Sequence, residues 1–295
     1  MEFRVLRYFL TVAREGSITR AANVLHVTQP TLSRQLKELE EELGKKLFIR
    51  KSHSIVLTDE GMILRKRAEE IIDMVVKVED EFHSMEETIG GDVYIGSGET
   101  EAMKLIAQVV KNLQVKYPNI RYHFHSGNSY DVTEQLDKGL LDFGILIQPA
   151  DLSKYNYFNI PTTDVWGVVM RKDSPLAAKK TVQTKDLLDV PLLLSRQAMK
   201  PGLSKNEFAD WFGEDFDKLN IVSTYNLVYN AAIMVEEGIG YAVTIDKIAN
   251  VSRDSNLCFR TLEPRLESGL NIVWKKHQIL SNAANLFFEE IQEHF

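Results

Sequence analysis

The chain of 295 residues has one cysteine, Cys258, and so can form no disulfide within itself. That thiol lies in an apolar, strand-like run and reads as a small buried hydrophobe rather than a nucleophile. Cysteine poverty fits a reducing compartment. No apolar run reaches the roughly 20 residues that span a bilayer. Glu2, Arg4 and Arg7 interrupt the stretch where a secretion signal would hold its apolar core, so the expected location is the cytoplasm. Catalytic signatures are missing too: there is no P-loop, GxSxG elbow, HExxH or GxGxxG, and Gly96-Ser97-Gly98 is too short to cradle a phosphate. His123 and His125 share one face of a strand, but no nearby Cys, Asp or Glu set completes a metal site. Neither metal nor cofactor is expected, and the chain does not read as an enzyme. Trp166, Trp211 and Trp274 read as core or subdomain packing.

What is present belongs to a soluble globular protein of two or three domains, with 44% hydrophobic and 26% charged residues. The net charge of −7 is unevenly spread. Residues 1–57 hold ten Lys/Arg against six Glu, a balance of +4, which leaves −11 for the rest. A basic head on an acidic body can hold phosphates with one end and stay soluble through the other.

The most informative stretch is Thr28 to Leu43, TQPTLSRQLKELEEEL. As a helix it places Leu32, Leu36, Leu39 and Leu43 in one apolar stripe. Pro30, Arg34 and Lys37 fall on the opposite face, with Gln29 and Ser33 on its flank. Thr28 is a natural N-cap, and Pro30 is tolerated where amides have no intrahelical partner. Such a face suits the major groove, where Gln and Arg read base edges and Pro or Thr can touch a thymine methyl. Glu38, Glu40, Glu41 and Glu42 repel phosphates, so contact should concentrate at Gln29–Lys37. Before it stand a helix of Phe3, Leu6, Phe9, Leu10 and Ala13 ended by Gly16, and a second, capped by Ser17, with Ile18, Ala21, Ala22 and Leu25 inward. His26-Val27 makes a tight connection, giving a helix-turn-helix spacing. After Gly44, Leu47 to Leu57 reads as a hairpin with a basic tip, Arg50-Lys51-Ser52-His53, the pattern of a wing.

Segments Ser17–Ala22, Val27–Ser33, Leu39–Gly44, Leu47–Arg50 and Leu57–Gly61 resemble, in order and spacing, the N-terminal domain of LysR-type transcriptional regulators. The resemblance implies a winged helix-turn-helix that reads a partly palindromic operator in double-stranded DNA. It places base contacts on Gln29, Pro30, Ser33 and Arg34, and phosphate contacts on Ser17, Thr28, Thr31 and Lys37, with Arg50 as the wing's contact.

From Thr58 to about Glu87, Leu64, Ala68, Ile71, Val75, Val78, Phe82 and Met85 form a heptad seam between charged residues. It is expected to pair with a long partner helix rather than with its own chain. It corresponds to the family's linker helix, implying a homodimer that assembles to a homotetramer. Ile89-Gly90-Gly91 should end it as a hinge. From Asp92 short strands alternate with helices: strands Val93–Gly96, Ile120–His125 and Asp142–Ile147, helices Thr100–Tyr117 and Asp131–Lys138, and then a second set of elements at Val165–Arg171, Leu192–Ser195, Phe208–Phe216, Leu219–Ser223, Leu227–Glu237 and Tyr241–Thr244. Cys258–Leu262 and Leu270–Lys275 lead to a final helix, Ala283–His294. The fold class is therefore α/β, with an N-terminal winged helix-turn-helix (1–58), a linker helix (59–89) and a regulatory domain (90–295). Family likeness implies two periplasmic-binding-protein-like subdomains, 92–162 with 266–295, and 163–265. The crossovers should lie near Pro161–Asp164 and Pro264–Glu267.

In paired α/β subdomains, ligands sit at strand C-termini and helix N-termini. That rule and the family pattern select Ser97, Gly98, Thr100, Gly127, Asn128 and Ile147 on one side. Ser195, Arg196, Thr224 and Asn226, with Tyr225 beside them, face these. The expected partner is a small-molecule co-inducer whose binding alters contact with the transcription machinery. Glu99 and Glu101 flank the first helix start. If Glu99 faces the cleft, a cationic, hydroxylated or neutral effector fits better than a plain carboxylic acid, unless Arg196 compensates. Two other classes fit the C-terminal part taken alone: a solute-binding protein, which the basic head opposes, and an enzyme, for which no convergent acid, base or metal set shows.

Overall fold

The computed structural model describes residues 1–50, 55–83, 90–199 and 206–295, without the side chains of residues 50 and 80–83. By backbone contacts the chain parts into Met1–Phe82 and His83–Phe295.

In the first unit, α1 (Phe3–Glu15) stops at Gly16, whose φ of 59° suits glycine and whose amide donates to the Val12 carbonyl. Ser17 Oγ accepts the Arg20 amide and opens α2 (Ile18–Val24). The turn passes through His26 at φ 53° into α3 (Gln29–Leu43), where Thr28 Oγ1 accepts the Thr31 amide. Leu32, Leu36 and Leu39 bury against Leu6, Phe9, Val12, Ala21 and Ala22. Each fully buried leucine or phenylalanine contributes about 1.5–3 kcal/mol. Leu43 departs from the expected stripe: it is 41% exposed, because the last turn of α3 overhangs the end of this core.

Strands β1 (Phe48–Arg50) and β2 (Ile55–Leu57) pair antiparallel as the expected hairpin. The basic tip at 51–54 and the Arg50 side chain lie outside the described residues. Helix α4 (Asp59–His83) follows. Thr58 Oγ1 donates to the Lys46 carbonyl (2.7 Å) and accepts the Gly61 amide (2.9 Å). A Cβ on Gly61 would collide with the Leu47 carbonyl oxygen, which explains a glycine in a first helical turn. The seam on α4 is not reserved for a partner. Leu64, Ala68 and Ile71, together with Ile72, pack on the core of the same unit, because α4 starts directly beside the wing strands. Val75 is half-buried and Val78 is 44% exposed; the Phe82 side chain and Met85 lie outside the described residues.

The second unit opens with β3 (Gly90–Ser97), α5 (Met103–Lys116), β4 (Asn119–Ser126), α6 (Ser129–Asp137) and β5 (Phe143–Ile147). Gly90 and Gly91, expected as part of a hinge, begin β3, since β4 offers Asn119 and Ile120 as parallel pairing partners; Ile89 lies outside the described residues. Next comes β6, which runs from Tyr155 to Arg171 rather than from Val165. Then follow β7 (Thr181–Val182), β8 (Leu192–Ser195), α7 (Glu207–Phe212), β9 (Ile221–Tyr225), α8 (Val228–Glu236), β10 (Tyr241–Ile245), β11 (Leu257–Leu262), β12 (Glu267–Lys275) and α9 (Asn282–His294). The strand order is β4-β3-β5-β12-β6-β10-β8-β9, with β11 joining β6 to β7.

The extra length of β6 is templated by β12, which pairs with it from Tyr155 to Val165. Beyond Val165, β6 turns to β10 and β11 instead. The chain thus crosses between two half-sheets on β6 and returns just before β12, near both expected crossovers. One half is filled by Ile95, Phe143, Ile272 and, from α9, Phe287. The other is filled by Val168, Leu194, Phe208 and Val243. Trp211 Nε1 donates to the Pro264 carbonyl (2.6 Å), and Trp274 packs on Phe288, as packing residues should.

Candidate nucleic-acid interface and ligand cleft

On α3, the residues singled out by sequence form one outward face: Gln29, Pro30, Thr31, Arg34 and Lys37 are exposed, and Ser33 is half-buried at its edge. Burial of Leu32 and Leu36 fixes that orientation, because both lie on the opposite side of the helix. Arg34 and Lys37 keep 71% of their side-chain surface. Glu38 stands 3.7 Å from the first and Glu41 3.2 Å from the second, one turn on. Exposed pairs of this kind are worth about 0–1 kcal/mol, so they align the cations without withholding them from phosphate. Thr28 and Thr31 hydroxyls are 2.8 Å apart at the helix start, and half-buried Ser17 starts α2.

Glu40 has a different task from its neighbours. Its carboxylate accepts the Leu47 and Phe48 amides (2.9 and 3.3 Å) and pairs with Lys46 at 2.7 Å. Burial pushes this carboxyl up, but the Lys46 ammonium and the two amides outweigh it and hold it below the usual carboxylate range. Helix α3 and the wing strands are tied together through this side chain.

In the second unit, a cavity of about 60 Å³ lies between the half-sheets. Gly98, Asn128, Ile147, Ser195 and Asn226 line it, as expected from sequence. Ser97 and Thr100 are placed instead at a neighbouring hollow with Lys247 and His125. Thr100 is buried near Asp164 at the crossover, and its hydroxyl accepts the Ala102 amide at 3.0 Å. Gly127, Arg196 and Thr224 do not line the cavity. Gly127 lies under the start of α6, where a Cβ would stand 2.7 Å from Asp131 Cβ. Arg196 points to solvent. Thr224 is exposed because β9 runs on to Tyr225, two residues past the expected end, and alternation turns Tyr225 inward in its place.

Sequence reasoning missed several walls: Gln148, Pro149, Trp166, Gln197, Ala198, Val228, Thr244, Ile245 and Ile248. The spacing of β6 gave no sign that Trp166 would serve both core and cavity. Its Nε1 donates to Ser268 Oγ at 2.7 Å, which holds the ring at the crossover. Strand-end position marks Gln148 and Gln197, each one or two residues past a strand.

Among the described residues, Glu99 and Gln197 span the cleft. Glu99 Oε2, from the β3–α5 connection, accepts the Val228 amide at the start of α8. Gln197, beyond β8, accepts the Ser129 amide at the start of α6 (3.2 Å) and donates to the Ile147 and Pro149 carbonyls (2.9 and 3.1 Å). Asn128 caps α6 through a reciprocal box with Asp131.

At the crossover, Asp164 is 2% exposed and, among the described residues, its Oδ2 has no hydrogen-bond partner. Burial, with the Asp246 and Glu101 carboxylates nearby, pushes its pKa up to about 6 against the Thr100 hydroxyl and Lys247. His123 bonds Asp92 at 2.7 Å and stacks on Tyr94, and among the described residues no group of three acidic, His or Cys side chains could hold a metal. No helix among them is long and apolar enough to cross a membrane.

A winged helix-turn-helix with an exposed polar face on its second helix, followed by two α/β halves around a cavity, defines a DNA-binding regulator with a sensor domain. Residues 3–62 match the family described as bacterial regulatory helix-turn-helix protein, lysR family, and residues 86–295 match the LysR substrate binding domain. The chain belongs to the LysR family of DNA-binding transcriptional regulators. Among its relatives are the uncharacterized HTH-type transcriptional regulator YvbU of Bacillus subtilis, 27% identical over 100% of this chain and 99% of the other, and BsdA of the same organism, 32% identical over 70% and 72%. Among solved structures, the full-length CbnR bound to its target DNA matches at a TM-score of 0.76 and 20% identity, covering 100% of both chains. A second structure, of CbnR, a LysR family transcriptional regulator, matches at 0.77 and 20% identity over 100% and 99%. At that identity the likeness shows the fold.

Proposed function

We propose that this regulator binds a partly palindromic operator through residues 1–58 and is switched by a small molecule in the cleft of residues 90–295. Gln29, Pro30, Ser33 and Arg34 contact base edges, while Ser17, Thr28, Thr31, Lys37 and Arg50 hold phosphates. The single observation that carries the reading is the exposure of this face on a helix whose other side is locked into the core. CbnR's complex with target DNA supports the same use of the fold.

Two copies joined through α4 place two heads on one operator, and pairs of dimers form a tetramer. Closure of the cleft is passed to the heads and changes contact with the transcription machinery. The protein acts in the cytoplasm, by binding rather than by catalysis. Gly98, Asn128, Ile147, Ser195 and Asn226, with the walls the sequence did not mark, touch the effector.

The test is a gel-shift titration of the Ser33→Ala, Arg34→Ala double variant against operator and random duplex. Operator preference should vanish while salt-sensitive binding to any duplex remains. An unchanged preference sinks the reading-helix assignment.

A further inference from the structure

Among the described residues that line the cleft cavity, one carries a formal charge, and it is negative: Glu99. Arg196, the side chain placed to balance it, points to solvent and is not part of the wall. The start of α8 is where an anionic ligand group would dock, since its amides and the helix dipole both favour negative charge. The protein's own carboxylate already occupies that position, with Glu99 Oε2 on the Val228 amide. A ligand carboxylate entering here meets a spent donor and a like charge.

A cation meets the opposite situation. The second oxygen of Glu99 can pair with an ammonium while the first stays on α8. The remaining walls suit the body of such a ligand: Ile147, Val228, Ile245 and Ile248 are apolar, and Trp166 and Tyr225 add aromatic rings that attract cations. The Tyr225 hydroxyl is committed to the Val243 carbonyl at 2.6 Å, so its hydroxyl has already found its partner. The cavity, about 60 Å³, limits the ligand to a few heavy atoms unless the halves part.

We propose that the effector is a small organic cation whose ammonium pairs with Glu99, and that Glu99 is the residue that rejects the matching carboxylate. This rests on the reading of the cleft as the effector site.

Calorimetric titration of the full-length chain at neutral pH with isobutylamine, isobutyramide and isobutyrate tests it, because the three share a body and differ in charge. The amine should bind most tightly and isobutyrate least, with the amide between. Glu99→Gln should weaken the amine by about tenfold and close the gap to isobutyrate. Glu99→Asp, which keeps the charge, should retain the order. Equal or tighter binding of isobutyrate, no amine binding at millimolar concentration, or an amine preference that survives Glu99→Gln overturns the proposal. Operator gel shifts with the same compounds separate it from its premise. Amine binding without any change in operator affinity sinks the effector role and leaves the ligand class standing. A response to isobutyrate alone does the reverse.

Discussion

Glu99 and Gln197 bridge the cleft in opposite directions, each leaving its own half to accept the first amide of a helix on the other. Those amides have no intrahelical partner, so a closed cleft satisfies donors that an open one must return to water. Closure is therefore coupled to two specific hydrogen bonds rather than to shape alone.

Gln197 also donates to two carbonyls at the end of β5, so its loss removes several contacts at once. Gln197→Ala should lower stability by about 1–2 kcal/mol and speed amide exchange at Ser129 and its neighbours. Hydrogen exchange read by NMR or mass spectrometry would show it. Unchanged protection at the start of α6 would mean that this bridge does not hold the closed form.

Asp164 carries a pH dependence whose sign follows from its burial. The native state keeps the proton up to about pH 6, whereas the unfolded chain releases it near the ordinary carboxyl value of 3.8. Folding therefore takes up a proton between those values. The stability this supplies is complete below about 4 and is lost as pH rises through 6. Asp164→Asn, which mimics the protonated group, should raise stability at neutral pH by about 2–3 kcal/mol and flatten the profile between pH 4 and 7. Calorimetric melting across that range decides it, and a variant that melts lower at pH 7 would refute the argument.

Glu40 has the opposite sign. Its folded carboxyl titrates below the ordinary range, so the stability it adds is present above the unfolded value of 4.5 and is lost as pH falls through the folded one. Glu40→Ala leaves the Leu47 and Phe48 amides without their acceptor and should cost about 1–3 kcal/mol. Operator affinity should fall with it, since α3 and the wing strands lose their tie. A variant with native melting temperature and native operator affinity would show that the tie is dispensable.

Much of the first unit was legible because its signals are local. Ser17, Thr28, Gly16 and Gly44 cap or stop helices by their own chemistry, and the 3.6-residue period of Leu32, Leu36 and Leu39 fixes which side of α3 faces out. The second unit was legible only where pairing did not override the chain. Gly90-Gly91 looks like a break until β4 supplies partners, and residues 155–164 look irregular until β12 does. The cleft suffered most, because a wall residue is chosen by strand alternation. Ending β9 two residues early points to Thr224 when Tyr225 is the one turned inward. Glu99 was visible as a carboxylate near a helix start, but its reach to α8, 129 positions away, belongs to tertiary structure alone.

The α4 seam divides in a way that makes dimerisation testable by position. Leu64, Ala68 and Ile71 are already covered by the chain's own head, so polar substitutions there would unfold the head rather than separate two copies. Val78 lies on the same stripe but is 44% exposed in the single chain, an apolar group only partly covered by the described residues. Burying the rest of this side chain against a second helix would supply roughly 1 kcal/mol, twice over in a symmetric pair. Val78→Glu should therefore leave the melting of the head intact while weakening self-association by at least about tenfold. Sedimentation equilibrium over the micromolar range reads the second effect and circular dichroism the first. Wild-type protein that sediments as a monomer at those concentrations would refute pairing through α4, and a Val78→Glu variant that associates as tightly as wild type would place the contact between copies elsewhere.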